Sequence, residues 1–485
     1  MFKLLFAYKK NSDLLPLLLI GLFIGSITSL DFIIVEWLSL GHFQLFPYSI
    51  GMLTMLAFVL VFFAYVYHST ILEYSPYIVL AGIIIGDQTK GIARGPDVAD
   101  VVIFSSILLW VIIKLLRHES RYFDFELSRY GFLIVALIIT IFVSLINGGF
   151  GSLVYFLVKG LRNFLASFVI ITVINDKKKI IFFIKAFLVI ISISAIIGIF
   201  QEAIFLWTGK IFPTSKMAAP MGLLVEETPI GTMLRISALS GFQQDFGNTL
   251  AIALALSFYL LISSNRAIFK RKLSILLCTL VTGIALMLTF SKGAWLAFFI
   301  AAYAGIYLRK PSLTIHLALL SLAIVVLAYC TGLLSEFGQI VNSQLHYGDL
   351  SHRLEMVGTT IPKAISEHFY IGTGLGKSTI YVSSIYGWPP HNTFVEVFAE
   401  IGIIGFIVYC MIFVYLFVRM ALSIVTSKEE ENRNIIILLF LGFLALIIYL
   451  QVSPFFMQLF PWIYIGLIEG SIRVFSGERN LSVAR

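Results

Sequence analysis

The stretch most suited to chemistry in this chain reads "GWPPHNTFVEVFAEIGIIGF", residues 387–406. His391 stands directly behind two prolines and directly ahead of a long apolar run that carries Glu396 and Glu400. Thr393 and Glu396 have the T-x-x-E spacing of a capping box, which predicts a helix start at that point. His391 and Asn392 then lie just ahead of a helix N-terminus, whose partial positive charge disfavours imidazolium and attracts anions. A neutral imidazole near pH 7 is what a general base must be. A lone histidine in a connection is ordinarily a surface residue, so its weight depends on its companions.

Those companions are cations from separate parts of the chain. Arg235 sits in "TMLRISALSGFQQDFGN", Lys292 in "TFSKGAW" and Arg353 in "DLSHRLEMVGTTIPKAISEHF". Each of the three segments lies next to an apolar run, on the same predicted side of a membrane as His391. Cations converging there suit a phosphate-rich ligand, because the Arg fork binds phosphate oxygens bidentately. Lys159 and Arg162 fall inside an apolar run, where an unpaired cation is costly and functional by default. Glu400 lies about two turns into its helix, roughly 10 Å deep at 1.5 Å per residue. Its expected role is structural or orienting, either paired with Lys159 or Arg162 or facing a water-filled cavity.

The elements that must hold these groups are membrane helices. The chain is 59% hydrophobic and 12% charged, against about 25% charged in a typical soluble domain. Many apolar runs reach the roughly 20 residues that a helix needs to cross a bilayer. The runs do not alternate as barrel strands would. The predicted class is an all-α polytopic membrane protein with about 12–14 transmembrane helices, near 12–30, 46–68, 75–86, 99–116, 130–147, 151–174, 179–206, 245–263, 271–290, 292–308, 312–332, 393–418, 434–451 and 455–475. The third is short enough to be re-entrant. The run after "MFKLLFAYKKNSD" is too long for a cleavable signal.

Basic residues set the orientation. Clusters such as Lys9–Lys10, Lys177–Lys179, Arg271–Lys272 and Arg309–Lys310 fall on alternate connections and hold most of the 34 Lys and Arg. This places both termini in the cytoplasm. The net charge of +8 is then mainly a topology signal. It gives no concentrated basic and aromatic surface for nucleic acid. Cys278, Cys330 and Cys410 all fall within spans, at spacings that fit neither a zinc site nor a disulfide framework. Two outer segments, 207–244 and 333–392, are long enough to be functional. In the second, Leu354, Val357, Ile361 and Ile365 recur at helical spacing with Pro362 interrupting, which predicts short amphipathic helices on the interface.

Four motifs carry a family resemblance. "PPHNTFVEVFAEIGIIGF" resembles the signature of the O-antigen ligase and polymerase superfamily. "LTFSKGAWLAFF" is similar to that family's Ser-Arg-Gly-Ala turn, with Lys292 in place of the usual Arg. "LRISALSGFQQDFGNTLAIALAL" resembles its Arg-to-Asn segment entering a span. "SHRLEMVGTTIPKAISEHFYIGTGLGKS" resembles its loop, with Gly372, Gly374 and Gly376 closing it. No strand–helix unit surrounds that Gly-x-Gly-x-Gly, so it does not read as a nucleotide signature. The resemblance covers roughly residues 150–475, with the motifs in the family's order.

The resemblance implies a C-type glycosyltransferase-like architecture. It has N-terminal helices at 1–150, a ligase/polymerase-like core at 151–475 and a cytoplasmic tail at 476–485. It implies an enzyme of the bacterial inner membrane. The donor is an undecaprenyl-diphosphate-linked oligosaccharide, the acceptor a second glycan. Membrane lipids, a flippase and a chain-length regulator are the implied partners. His391 takes the role of base. Arg235, Lys292 and Arg353 hold the diphosphate, with Asn392, Glu396, Glu400, Lys159 and Arg162 in support. The outer loops show no Asp-x-Asp or dense carboxylate cluster, so no metal and no cofactor is expected, and one direct displacement inverts the anomeric carbon. The leading expectation is a polymerase, with an O-antigen ligase as the alternative. A lipid-linked glycan transporter predicts repeated halves, and the sequence shows no internal repeat. A lipid-phosphosugar transferase would use a carboxylate such as Asp31 or Glu36.

Overall fold

The computed structural model of the chain describes residues 75–88, 129–210, 225–228, 231–238, 240, 242–263, 268–314, 316, 350–378, 390–454 and 456–476. The expected spans at 12–30, 46–68 and 99–116 and most of 312–332 lie outside these residues, as do Asp31, Glu36 and Cys330. The chain divides into two compact units. One is Met1–Phe123 with Phe168–Ser257 and Arg266–Ser291; the other is Asp124–Ser167 with Phe258–Asn265 and Lys292–Arg485.

Helix dominates both units, and the class is the all-α polytopic membrane protein that the composition predicts. Among the described residues, five helices are long and apolar enough to cross a membrane: Tyr130–Tyr155, Lys177–Thr208, Gln243–Ser263, Thr393–Thr426 and Glu430–Leu450. The helices in chain order are α1 (Ser75–Gln88), α2 (Arg129–Tyr155), α3 (Leu161–Val173), α4 (Lys177–Thr208), α5 (Gln243–Ser263), α6 (Lys272–Leu288), α7 (Lys292–Arg309), α8 (Leu350–His368), α9 (Thr393–Thr426), α10 (Glu430–Leu450) and α11 (Leu459–Phe475). The expected short span at 75–86 is α1, a helix of 14 residues.

In the first unit α4 is the spine, with α1 and α6 packed along it. Asp176 caps its start by accepting from the Lys179 amide at 2.9 Å. Gly209 ends it in the left-handed region, φ 66°, its amide bonded to the Phe205 carbonyl. A short antiparallel hairpin pairs β1 (Val225–Thr228) with β2 (Gly231–Leu234), inside the segment expected as an outer connection. β2 lies on α4.

In the second unit α9 packs against α2, α8, α10 and α11, and α7 lies along α10. Helix α9 has 34 residues, about 51 Å of helix against a hydrocarbon core of about 30 Å. The excess length is resolved by a break at Gly402, described below. Helix α8 departs from the expected pattern. It is one 19-residue helix that runs straight through Pro362. Pro362 is exposed, so water can satisfy the carbonyl that its missing N–H leaves behind. The buried stripe is Met356, Thr360 and Ala364, with Met356 and Ala364 packed against Ala399 and Phe398, one position away from the apolar series read from the sequence. Ile365 is left 51% exposed.

Candidate functional site

The start of α9 is fixed by Asn392. Its side chain accepts from the Phe394 amide at 2.9 Å and the Val395 amide at 3.1 Å. The expected Thr393–Glu396 capping box does not form, because both side chains are buried and bonded elsewhere. Thr393 Oγ1 donates to the Ser453 carbonyl at 2.5 Å, and Glu396 Oε2 accepts from the Phe456 amide at 3.2 Å. Asn392 Nδ2 donates to the Gln451 carbonyl at 3.0 Å. The cap is thus set one residue earlier than the T-x-x-E pattern predicts, and the two expected capping side chains fasten the helix to the connection between α10 and α11. His391 is half-buried between Pro390 and this cap.

The same connection receives the start of α7. Lys292 opens α7 and is exposed. Its neighbour Gly293 lies so close to the connection that a Cβ there would sit 2.3 Å from Val452 Cγ2. Lys292 and His391, far apart in sequence, are therefore both carried by elements that meet the connection after α10, at Val452 for one and at Gln451, Ser453 and Phe456 for the other. A reversal of non-helical backbone held by this many side-chain bonds is a rigid support for a site.

Below the cap, two membrane helices are broken and stitched together. Gly402 in α9 has φ 68° and ψ −174°, and Gly149 in α2 has φ 62° and ψ −161°. That region of backbone space is essentially open to glycine alone. A break inside a bilayer leaves backbone groups that must be satisfied by protein. Here the Gly372–Gly376 loop supplies the partners. The Ala399 carbonyl accepts from the Thr373 amide and the Glu400 carbonyl from the Gly374 amide, both at 2.9 Å, and the Ile403 amide donates to the Phe369 carbonyl at 2.8 Å. From α2, Asn147 Nδ2 donates to the Gly372 carbonyl and Ser152 Oγ to the Leu375 carbonyl, both at 2.8 Å. The Gly-x-Gly-x-Gly motif is therefore a backbone plug between two helix breaks.

Glu400 fixes the next stretch of that loop. Its Oε1 accepts from Ser378 Oγ at 2.9 Å and the Ser378 amide at 3.3 Å. Through these two bonds the buried carboxylate holds the end of the loop. Glu400→Ala leaves both donors without their acceptor and should cost about 1–3 kcal/mol, read as a lower melting temperature of the purified protein. Glu400→Gln keeps one side-chain oxygen and should lose much less.

The remaining expected residues fall as follows. Lys159 lies in a π-helical turn, Phe156–Gly160, a feature that often marks functional positions in helices. Arg162 follows it, buried, with Nε donating to Asn163 Oδ1 at 3.2 Å; Asn163 Nδ2 in turn donates to the Met457 carbonyl. Arg353 is in the first turn of α8. Arg235 belongs to the first unit, directly after β2, half-buried. Its Nε is buried without a hydrogen-bond partner among the described residues. Among the described residues, no three His, Cys, Asp or Glu side chains are grouped so as to hold a metal ion. Sequence reasoning missed Gln201 and Glu202, although a carboxylate inside an apolar run is itself a signal. It also missed Ser378 and Gln451, which carry no signal beyond being polar.

With His391, the Lys292 turn and the glycine plug in place, one comparison with known families bears on them. The O-antigen ligase family model matches residues 277–410. The match supports membership of the O-antigen ligase/polymerase superfamily. The matched stretch contains Lys292, Arg353, His391, Asn392, Glu396 and Glu400, and leaves Arg235, Lys159 and Arg162 outside it. No curated protein matches the chain significantly. The family match supports a glycan-transfer role of the ligase/polymerase type in a multi-pass membrane protein.

Proposed function

We propose that this protein is a polysaccharide polymerase of the O-antigen ligase/polymerase superfamily, seated in the bacterial inner membrane. It transfers a glycan from undecaprenyl diphosphate to a sugar hydroxyl of another lipid-linked repeat unit, at the outer face, with both termini in the cytoplasm. The observation that supports this reading is that the residues beside His391 and Lys292 meet one connection, Asn392 bonding Gln451 and Gly293 packing on Val452. His391 takes the proton of the acceptor hydroxyl as its oxygen bonds to the anomeric carbon. The bond from that carbon to the diphosphate oxygen breaks, and undecaprenyl diphosphate leaves with the electron pair. A single displacement of this kind inverts the anomeric configuration. Arg235, Lys292 and Arg353 stabilise the charge that develops on the leaving group. Asn392, Glu396 and Glu400 hold the helix start and the glycine loop, and Lys159 and Arg162 support the buried side.

Purified protein given lipid-linked repeat units alone tests this directly. A ladder of longer lipid-linked chains supports the polymerase. Product that forms only when lipid A–core or another acceptor is added makes the protein a ligase. Two further results are expected if cations hold the diphosphate. EDTA leaves turnover intact, and Arg353→Lys loses much of the rate despite keeping its charge, because the planar fork is gone. Activity abolished by EDTA and restored by Mg²⁺ would overturn the cation clamp.

A further inference from the structure

The Arg235 segment is held by two polar side chains that no motif includes. Leu234, Ile236 and Ala238 are buried, while Arg235 and Ser237 are half-buried. That alternation is the period of an extended chain with one face on the protein and the other turned away. In such a chain a slip of one residue exchanges the two faces, which would turn Arg235 inward and Ile236 outward.

What sets the alignment is the end of α4. Glu202 Oε2 accepts from the Leu234 amide at 2.9 Å. Gln201 bonds both backbone groups of Ala238: its Oε1 accepts from the amide at 2.9 Å and its Nε2 donates to the carbonyl at 3.0 Å. Between them, the Ile236 amide donates to the Leu288 carbonyl at 3.2 Å. One turn earlier on α4, Gly198 makes room for Ile236, since a Cβ there would lie 2.8 Å from Ile236 Cδ1. Ala238 is held at φ 47°, a left-handed conformation that is strained for a non-glycine residue. Such strain persists only where the surroundings over-determine it. Here the surroundings are the paired bonds from Gln201. Glu202 is only 4% exposed and its other oxygen has no hydrogen-bond partner among the described residues. A buried carboxylate is costly to keep, and its one bond goes to the residue beside Arg235.

We propose that Gln201 and Glu202 are positioning residues that fix the alignment of Leu234–Ala238 and so present the Arg235 guanidinium to a diphosphate. This rests on the reading of Arg235 as a diphosphate contact under the proposed function. Binding of undecaprenyl diphosphate to the full-length protein in nanodiscs is the measurement, with melting temperature recorded for each variant. Glu202→Ala, Gln201→Ala and Gly198→Ala each act on the alignment by a different route. Each should weaken binding by about tenfold to a hundredfold, the scale of a misplacement near 1 Å. Glu202→Gln keeps an acceptor for the Leu234 amide and should bind within a few-fold of wild type. In an Arg235→Ala background the same substitutions should add almost nothing, because they act through that side chain. A purely structural role would lower binding by the same factor in both backgrounds, and that result overturns the positioning role while leaving Arg235 as the contact. Glu202→Gln as damaging as Glu202→Ala also overturns it, since the charge would then be used directly. If Arg235→Ala alone binds the probe as wild type does, the diphosphate reading of Arg235 fails and the positioning role fails with it. Should Glu202→Ala not fold, Gly198→Ala and Gln201→Ala still decide the question.

Discussion

His391→Ala should reduce the chemical step by roughly 10²–10⁴, the usual contribution of a positioned acid or base, while leaving the protein folded. The side chain is half-buried in a connection, and the bonds that fix the helix start come from Asn392, Thr393 and Glu396. Removing the imidazole therefore strips no cap and opens no core. Donor binding should also survive, since the proposed diphosphate contacts are elsewhere. In the wild type, turnover should fall as the solution becomes acidic, because imidazolium cannot accept a proton. Asn392→Ala should behave differently. It removes the side-chain oxygen that accepts from two helix-start amides, and the bond to Gln451, so it should cost about 1 kcal/mol of stability together with part of the rate. Single-turnover rates and melting temperatures on the two variants separate the cases. Near-normal turnover in His391→Ala, with loss in Glu396→Gln or Glu400→Gln, would make a carboxylate the base.

The contrast between these neighbours shows what the sequence can and cannot convey. The helix beginning near residue 393 was legible, because prolines, a polar pair and an apolar run mark it. Its cap was not. T-x-x-E and an Asn one residue earlier are both valid local starts, and the choice between them was made by tertiary contacts with Ser453 and Phe456. The amphipathic helix over 350–368 was legible in kind, but its buried stripe depended on which surface it meets, and Met356 and Ala364 meet Ala399. The Gly-x-Gly-x-Gly spacing was plain in the sequence, and its use was hidden. Nothing local says that Gly374 must lie against Gly148, a contact between residues far apart in the chain. Arg235 stood out as a cation near an apolar run, while the side chains that hold its backbone sit inside a different run and pass for part of a span.

The close approach of the 369–376 segment to the break in α9 gives the largest expected loss of stability. Gly402→Ala should prevent the protein from reaching its native packing. An added Cβ would lie 2.3 Å from the Tyr370 carbonyl oxygen and 2.5 Å from the Ile371 amide nitrogen. These are backbone atoms, so no side chain can swing aside. The Gly402 backbone also occupies a region that other residues essentially do not enter. Forcing the helix to continue would place the Ile403 amide back toward Ala399, whose carbonyl already accepts from Thr373. The plug would be expelled, leaving backbone polar groups unsatisfied within the bilayer, each worth several kcal/mol. The total should exceed about 4 kcal/mol, a range reached by few single substitutions. Gly149→Ala provides the control. Its backbone is equally restricted, yet nothing lies within 4 Å of the added Cβ, so only the conformational cost of about 1–3 kcal/mol applies. Thermal unfolding of the two variants in detergent compares them directly. Gly402→Ala should yield little folded protein, and Gly149→Ala should yield a folded protein with a lowered melting temperature. Equal melting temperatures would mean that the loop does not plug the break in α9.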